Sequence, residues 1–261
     1  MDMWSSGDSY EAYVGRWSRP VADRFLEWLD PPAGARWLDL GCGTGALTDE
    51  IVCNAAPSVV LGLDPSPTFV KHAAGHVPDP RALFAVGDAR ALPVTDGWFD
   101  VVVAGLMLNF VPERTRALAE MRRAARIGGV VAVYVWDYPG GMQLISRFWE
   151  AAEEIDPAVR RDSEGVRFGF CRPEALRAMF RAADLTDVVV ESVVVPTVFG
   201  DFDDLWSPFL RATGPAPAYV ASLDDGRRAD LRARLQAALP VEDDGSIHLT
   251  ARAWTVRGSV S

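Results

Sequence analysis

Three glycines at alternate positions, Gly41, Gly43 and Gly45, interrupt the stretch 37–48, WLDLGCGTGALT. Residues 37–40 before them read as a short apolar strand carrying Asp39, and residues 46–54 after them continue in a helical pattern. A strand that feeds a helix through closely spaced glycines lets backbone approach a nucleotide where a Cβ would collide. The free N–H groups at the start of the following helix face the same crevice. This feature predicts an open α/β sheet with a ligand at the strand tips. The plainer alternative is a tight turn whose glycines serve geometry alone.

The next strand, 59–63, ends on Asp64, Pro65 and Ser66. An acid about 20 residues beyond such a loop is placed to accept from ribose hydroxyls. Gly41, Gly43 and Ala46 also satisfy a dinucleotide fingerprint, so the residues alone leave an NAD(P)-dependent oxidoreductase open beside other nucleotide users.

The heptapeptide from Asp39 to Gly45, DLGCGTG, resembles motif I of the class I S-adenosylmethionine-dependent methyltransferases. Gly87-Asp88-Ala89, Leu92-Pro93 and Trp98-Phe99-Asp100 follow in that family's order, in the manner of the branch that includes ubiquinone and menaquinone biosynthesis methyltransferases. The resemblance runs from Ala35 to Tyr138 and more loosely through two later strands. It implies a doubly wound, Rossmann-like sheet of seven strands, mostly parallel with an antiparallel last strand, plus a helical cap. It also implies S-adenosylmethionine as cofactor, released as S-adenosylhomocysteine. By that resemblance the cofactor meets Asp39, Gly41, Cys42, Gly43 and Gly45, the Asp64-Pro65-Ser66 corner, Gly87, Asp88 and Ala89 around the adenine, and Leu106. Arg16 would meet the methionine carboxylate. A SAM-binding domain without catalysis is the alternative within the same fold.

The near-continuous apolar run 99–108 reads as a central parallel strand covered on both faces. Its end, Leu106 to Asn109, is expected beside the transferable methyl, with Met107 toward the acceptor. Residues 112–126 read as a helix stopped by Gly128-Gly129, residues 130–136 as the fifth strand, and 137–141 as a loop at the same edge. Asn109, Asp137 and Tyr138 are the candidates for a base or orienting group. Asn109 with Asp137 lacks the further loop ligand of a divalent-metal site, and His72 with His76 lacks a third ligand, so no metal is expected.

Nucleic acid is not an expected partner. The net charge is −10, there is no Asn-Pro-Pro-Tyr, and no Pro-Cys nucleophile is present. A small-molecule methyl acceptor is expected, with the protein a monomer or homodimer. The three cysteines, Cys42, Cys53 and Cys171, show neither metal spacing nor even pairing, and no apolar run is long enough to span a bilayer. A cytoplasmic location is expected from both.

Domain boundaries are expected as follows: 1–30 a helical lid carrying Tyr10, Tyr13, Arg16 and Trp17; 31–196 the α/β core; 197–247 an inserted cap; 248–261 the final strand and tail. Helices are expected at 141–155 and 173–183, a loop or lid at 160–170, and strands at 187–196 and 248–256. Tyr13, Trp17, Met107, Trp206, Phe209 and Tyr219 are the aromatic and apolar candidates to face the acceptor. Burial of the insertion on its own scaffold is the equally plain role for the last three.

Overall fold

A computed structural model describes residues 15–211 and 214–261; Tyr10 and Tyr13 lie outside the described residues. The sheet has seven strands in the order β3-β2-β1-β4-β5-β7-β6. These are β1 (Arg36–Leu40), β2 (Val59–Asp64), β3 (Ala82–Val86), β4 (Phe99–Gly105), β5 (Ala125–Trp136), β6 (Leu185–Phe199) and β7 (Ile247–Val260). Strands β1 to β5 pair in parallel, and β7 inserts antiparallel between β5 and β6. The expected seven-stranded, mostly parallel architecture is therefore present.

The chain divides into two compact units. One comprises Ser18–Val135, Arg172–Val193 and Ala253–Ser261. Here α1 (Ser18–Leu29), α2 (Ala46–Asn54), α3 (Pro67–His76), α4 (Arg114–Ala124) and α7 (Pro173–Ala182) accompany the parallel strands. Its strands are apolar because both faces are covered: Trp37, Leu38, Val102, Val103 and Ala132 are wholly buried. One face of α1 is also buried, through Val21 and Phe25 four residues apart, and Phe25 packs on Tyr134 with ring centroids 4.7 Å apart.

The other unit holds the stretch ending at Trp17, then Trp136–Cys171 and Val194–Arg252. It contains α5 (Gln143–Ile155), the short α6 (Glu164–Arg167), α8 (Phe202–Arg211), α9 (Pro215–Ser222) and α10 (Asp225–Ala238). Its interior is aromatic: Phe148 of α5 stacks on Phe209 of α8 at 4.5 Å, and Trp149 lies 5.7 Å from Tyr219 of α9. The buried carboxylate of Glu164 accepts from the Trp149 indole N–H and, at 3.4 Å, from the Ala216 backbone N–H. It thereby ties three helices of this unit together.

Several boundaries move. β4 stops at Gly105 rather than 108, because Leu106 turns to φ 58° and the chain enters a 3-10 turn over Leu108–Phe110. α4 ends at Ala124, and Gly128-Gly129 lie inside β5, where the pairing register to β4 shifts between Phe99 and Val101. There the glycines accommodate a bulge rather than stop a helix. The expected loop at 160–170 contains a 3-10 turn, Pro157–Asp162, and then α6.

Candidate cofactor and acceptor sites

The parallel register brings Asp39 opposite Gly62, Leu40 opposite Leu63 and Asp64 opposite Val86, so the carboxyl ends of β1, β2 and β3 form one edge. At that edge Gly41 and Cys42 both donate N–H bonds to the Leu63 carbonyl, at 2.7 and 3.0 Å. The loop is thus stitched to β2. Gly41, Gly43 and Gly45 all have left-handed φ, of 68°, 54° and 93°.

The three glycines are required for different reasons. A Cβ on Gly41 would sit 2.7 Å from Cγ of Met107. One on Gly45 would press on Ala73 and Val77 of α3 at 3.2 Å. A Cβ on Gly43 would meet nothing within 4 Å. Gly43 alone of the three faces open space, and its N–H donates to Oδ2 of Asp64 at 3.1 Å. The other oxygen of Asp64 accepts from the Ser66 N–H at 2.8 Å, and Ser66 caps α3. The glycine loop and the acid at the β2 tip are one hydrogen-bonded structure.

Asp39 is 1% exposed, and Thr48 of α2 donates to its Oδ2 at 2.6 Å while Oδ1 is buried without a partner among the described residues. Burial pushes its carboxyl up to about 7, the Thr48 bond opposes this, and Asp64 adds to it. Burial also raises Asp64, against the two backbone donors. The Cys42 thiol is pushed up by burial and stays neutral. Because Asp39 holds its proton more tightly in the folded chain than its unfolded value near 4, ionising it costs stability as pH rises from about 4 to about 7. Denaturant titrations across that window should show wild type losing stability relative to Asp39→Asn; parallel curves would contradict the buried, half-satisfied carboxyl.

At the third tip the Gly87 N–H donates to the Asp64 carbonyl at 3.1 Å, and Ala89 is buried. The Asp88 carboxylate is half exposed and forked by Arg90, whose Nη2 lies 2.7 Å from Oδ2. Arg90 holds it down at about 2. Beyond β4, Leu106 is buried and its N–H donates to the Tyr134 carbonyl at 2.9 Å. Asn109 is 3% exposed, with its amide nitrogen lacking any partner among the described residues. A buried donor left unpaired is costly, and such groups concentrate where a ligand supplies the partner. Pro65 is exposed at the same corner.

Other expected site residues belong to the second unit. Asp137 is 3% exposed and its Oδ2 accepts from Arg252 Nε at 2.7 Å and Nη2 at 2.6 Å. The Gly141 N–H bonds the Asp137 carbonyl at 2.8 Å, closing the loop. Asp137 is therefore engaged by a cation, which weakens it as a base. Arg252→Gln and Asp137→Asn should each cost about 1–3 kcal/mol in unfolding, since the first leaves the buried Asp137 carboxylate without its cation and the second removes the charge that Arg252 meets there. A stability unchanged by both would return Asp137 to the role of a free carboxylate. Tyr138 packs on Phe168 at 4.9 Å. Phe209 and Trp206 are 1% and 4% exposed and lie within the aromatic interior, the plainer of their two expected roles; Tyr219 is partly exposed. Arg16 donates to Asp204 at 3.0 Å and lies over the rings of Trp17 and Phe199.

Residues 38–133 match a family model described as a methyltransferase domain. A demethylmenaquinone methyltransferase of Roseiflexus sp. is 31% identical over 173 residues, covering 62% of this chain and 73% of that protein. The chain belongs to the class I methyltransferases. A second methyltransferase relative, the trans-aconitate 2-methyltransferase of Deinococcus radiodurans, is 29% identical over 243 residues and covers 90% of this chain and 91% of its own. The fold matches that of a phosphoethanolamine N-methyltransferase from Haemonchus contortus solved with phosphomonomethylethanolamine and S-adenosylhomocysteine. That match has a TM-score of 0.61 at 16% identity and covers all of this chain and 58% of the other.

Within this methyltransferase, Thr48 and Arg252 are site neighbours that residue patterns do not announce, and neither do they announce the contact of Met107 with Gly41. Thr48 had one available signal, its place one helical turn into α2. Among the described residues no cluster could hold a metal, and no helix is long and apolar enough to cross a membrane.

Proposed function

We propose that this methyltransferase binds S-adenosylmethionine along the tips of β1, β2 and β3 and moves its methyl group to a small-molecule acceptor. The observation that carries the reading is the coupling of Asp64 to the open Gly43 backbone. Asp64 retains lone pairs for two ribose hydroxyls while its backbone bonds fix its direction. Asp39 offers its Oδ1, unpaired among the described residues, as an acceptor for the cationic methionine end, directly or through water. Cys42, Ser66, Gly87, Asp88, Ala89 and Leu106 complete the assignment around the nucleoside. A dinucleotide is not favoured.

The sulfonium methyl is activated before it reaches the protein, so catalysis consists chiefly of in-line alignment and exclusion of water. Alignment of that kind can supply about 7–11 kcal/mol of barrier reduction. A base is needed only for an acceptor that must lose a proton. With Asp137 ion-paired, we assign Asn109 to orienting and Tyr138 to walling the acceptor. Trp17, Met107 and Tyr219 are assigned to acceptor choice together with segment 197–247. The named relatives act on a quinone precursor and on a carboxylic acid, so both classes belong in the test.

The test is a labelled-methyl assay over quinols, phenols, amines and carboxylic acids. Transfer to one class supports the reading. Tight cofactor binding with no transfer to any class would favour a non-catalytic SAM-binding role.

A further inference from the structure

In the second unit, several hydrogen-bond donors lie out of water with no acceptor among the described residues. The Nη1 of Arg16 donates to Asp204 at 3.0 Å, but its Nε and Nη2 are buried and unpartnered among the described residues. Those two N–H groups are the side-on fork of the guanidinium, the geometry that matches the two oxygens of one carboxylate. The guanidinium carbon lies over both aromatic rings, 4.5 Å from the Trp17 centroid and 4.5 Å from the Phe199 centroid. The two rings meet edge to face at 5.6 Å. Trp17 adds a third buried donor, its indole Nε1, also unpartnered among the described residues. Thr197 lies two residues before Phe199 on β6, hence on the same strand face, and its buried hydroxyl has no partner either.

An arginine that served packing alone would place its polar edge in water. This one exposes a third of its side chain yet withdraws the fork and leaves it unpaired. Among the described residues Asp204 is its one acidic partner, and that partner uses the other nitrogen.

We infer that Arg16, Trp17 and Thr197 form an anion subsite, and that it takes a carboxylate of the methyl acceptor rather than of the cofactor. Every group in it comes from the stretch ending at Trp17 or from the segment beginning near Thr197, in the unit that does not contain the glycine loop or Asp64. A carboxylate acceptor is ionised at neutral pH and needs no base, which agrees with an Asp137 committed to Arg252. The inference rests on the methyltransferase reading for what the anion does, but not for whether it binds.

The test uses the full chain and four proteins: wild type, Arg16→Gln, Arg16→Lys and Thr197→Val. Calorimetry measures the binding of trans-aconitate, benzoate and S-adenosylhomocysteine, and labelled-methyl transfer is followed to the same two acids and to hydroquinone. At least one acid should bind and accept methyl. Its dissociation constant and KM should rise about tenfold or more in Arg16→Gln and about threefold in Thr197→Val, the loss of a charged and of a neutral hydrogen bond. Arg16→Lys should recover part of the loss, and affinity for S-adenosylhomocysteine should stay within about twofold throughout, because the proposal gives the subsite to the acceptor. Weakened S-adenosylhomocysteine binding in Arg16→Gln with unchanged acid binding would overturn the proposal and give Arg16 to the methionine carboxylate. Failure of both acids to bind, or transfer to hydroquinone alone, would also overturn it. Arg16-dependent acid binding in a protein that fails to bind S-adenosylhomocysteine would keep the subsite and discard the methyltransferase reading.

Discussion

Replacing Asp64 with alanine should weaken S-adenosylmethionine binding by about 1.5–3 kcal/mol, a 10- to 150-fold rise in dissociation constant, while the chain stays folded. Two losses combine. The ribose hydroxyls lose a charged acceptor, and the Gly43 and Ser66 N–H groups lose the carboxylate that orients them. Asp64→Asn separates these losses. Its amide can accept from one backbone donor but presents its own N–H₂ toward the other, so loop order should suffer almost as much as in the alanine variant. Calorimetry reports the affinity and amide exchange at Gly43 reports the loop. An unchanged affinity in both variants would remove Asp64 from the site.

The glycine loop provides the second large effect, because its members should fail differently. Alanine at Gly41 incurs the left-handed backbone cost of about 1–2 kcal/mol and a 2.7 Å approach to Met107, a clash that displaces a packed side chain. A total loss of about 2–4 kcal/mol in unfolding is expected, and Met107→Ala in the same chain should recover the clash but not the backbone cost. Alanine at Gly43 incurs a similar backbone cost with no clash in the protein, since its Cβ enters open space. Its stability loss should be the smaller, about 1–2 kcal/mol, and its loss of cofactor affinity the larger. If Gly43→Ala bound the nucleoside normally, the open space above Gly43 would not be where the ligand lies.

Much of this arrangement is legible before any coordinates. The alternation of glycines after an apolar strand, the acid at the end of β2 and the Gly-Asp-Ala corner are local patterns, and local patterns survive in one dimension. So does β7, whose inward residues Leu249, Ala251 and Ala253 alternate with outward ones, though its antiparallel seat between β5 and β6 does not follow from that alternation. What stays hidden are partnerships of high sequence separation. Arg252 lies 115 residues from Asp137, and the residue pattern of β7 gives it no reason to neutralise a loop acid. Asp204, 188 residues from Arg16, is equally invisible. Glu164 lies in a segment that reads as a loop, and only the folded unit reveals it as a buried tie between helices. The end of β4 is hidden in the sequence because its apolar run continues to Leu108, while the turn is made by Leu106 in a left-handed conformation that leucine seldom adopts.

The most direct measurement is a calorimetric titration of the full chain with S-adenosylhomocysteine, run beside NAD and repeated on Asp64→Ala. The account predicts one-to-one binding of the sulfur nucleoside, no heat from NAD, and an isotherm at least tenfold weaker in the variant. Binding of NAD in its place, or binding of the nucleoside that ignores the loss of Asp64, would contradict it.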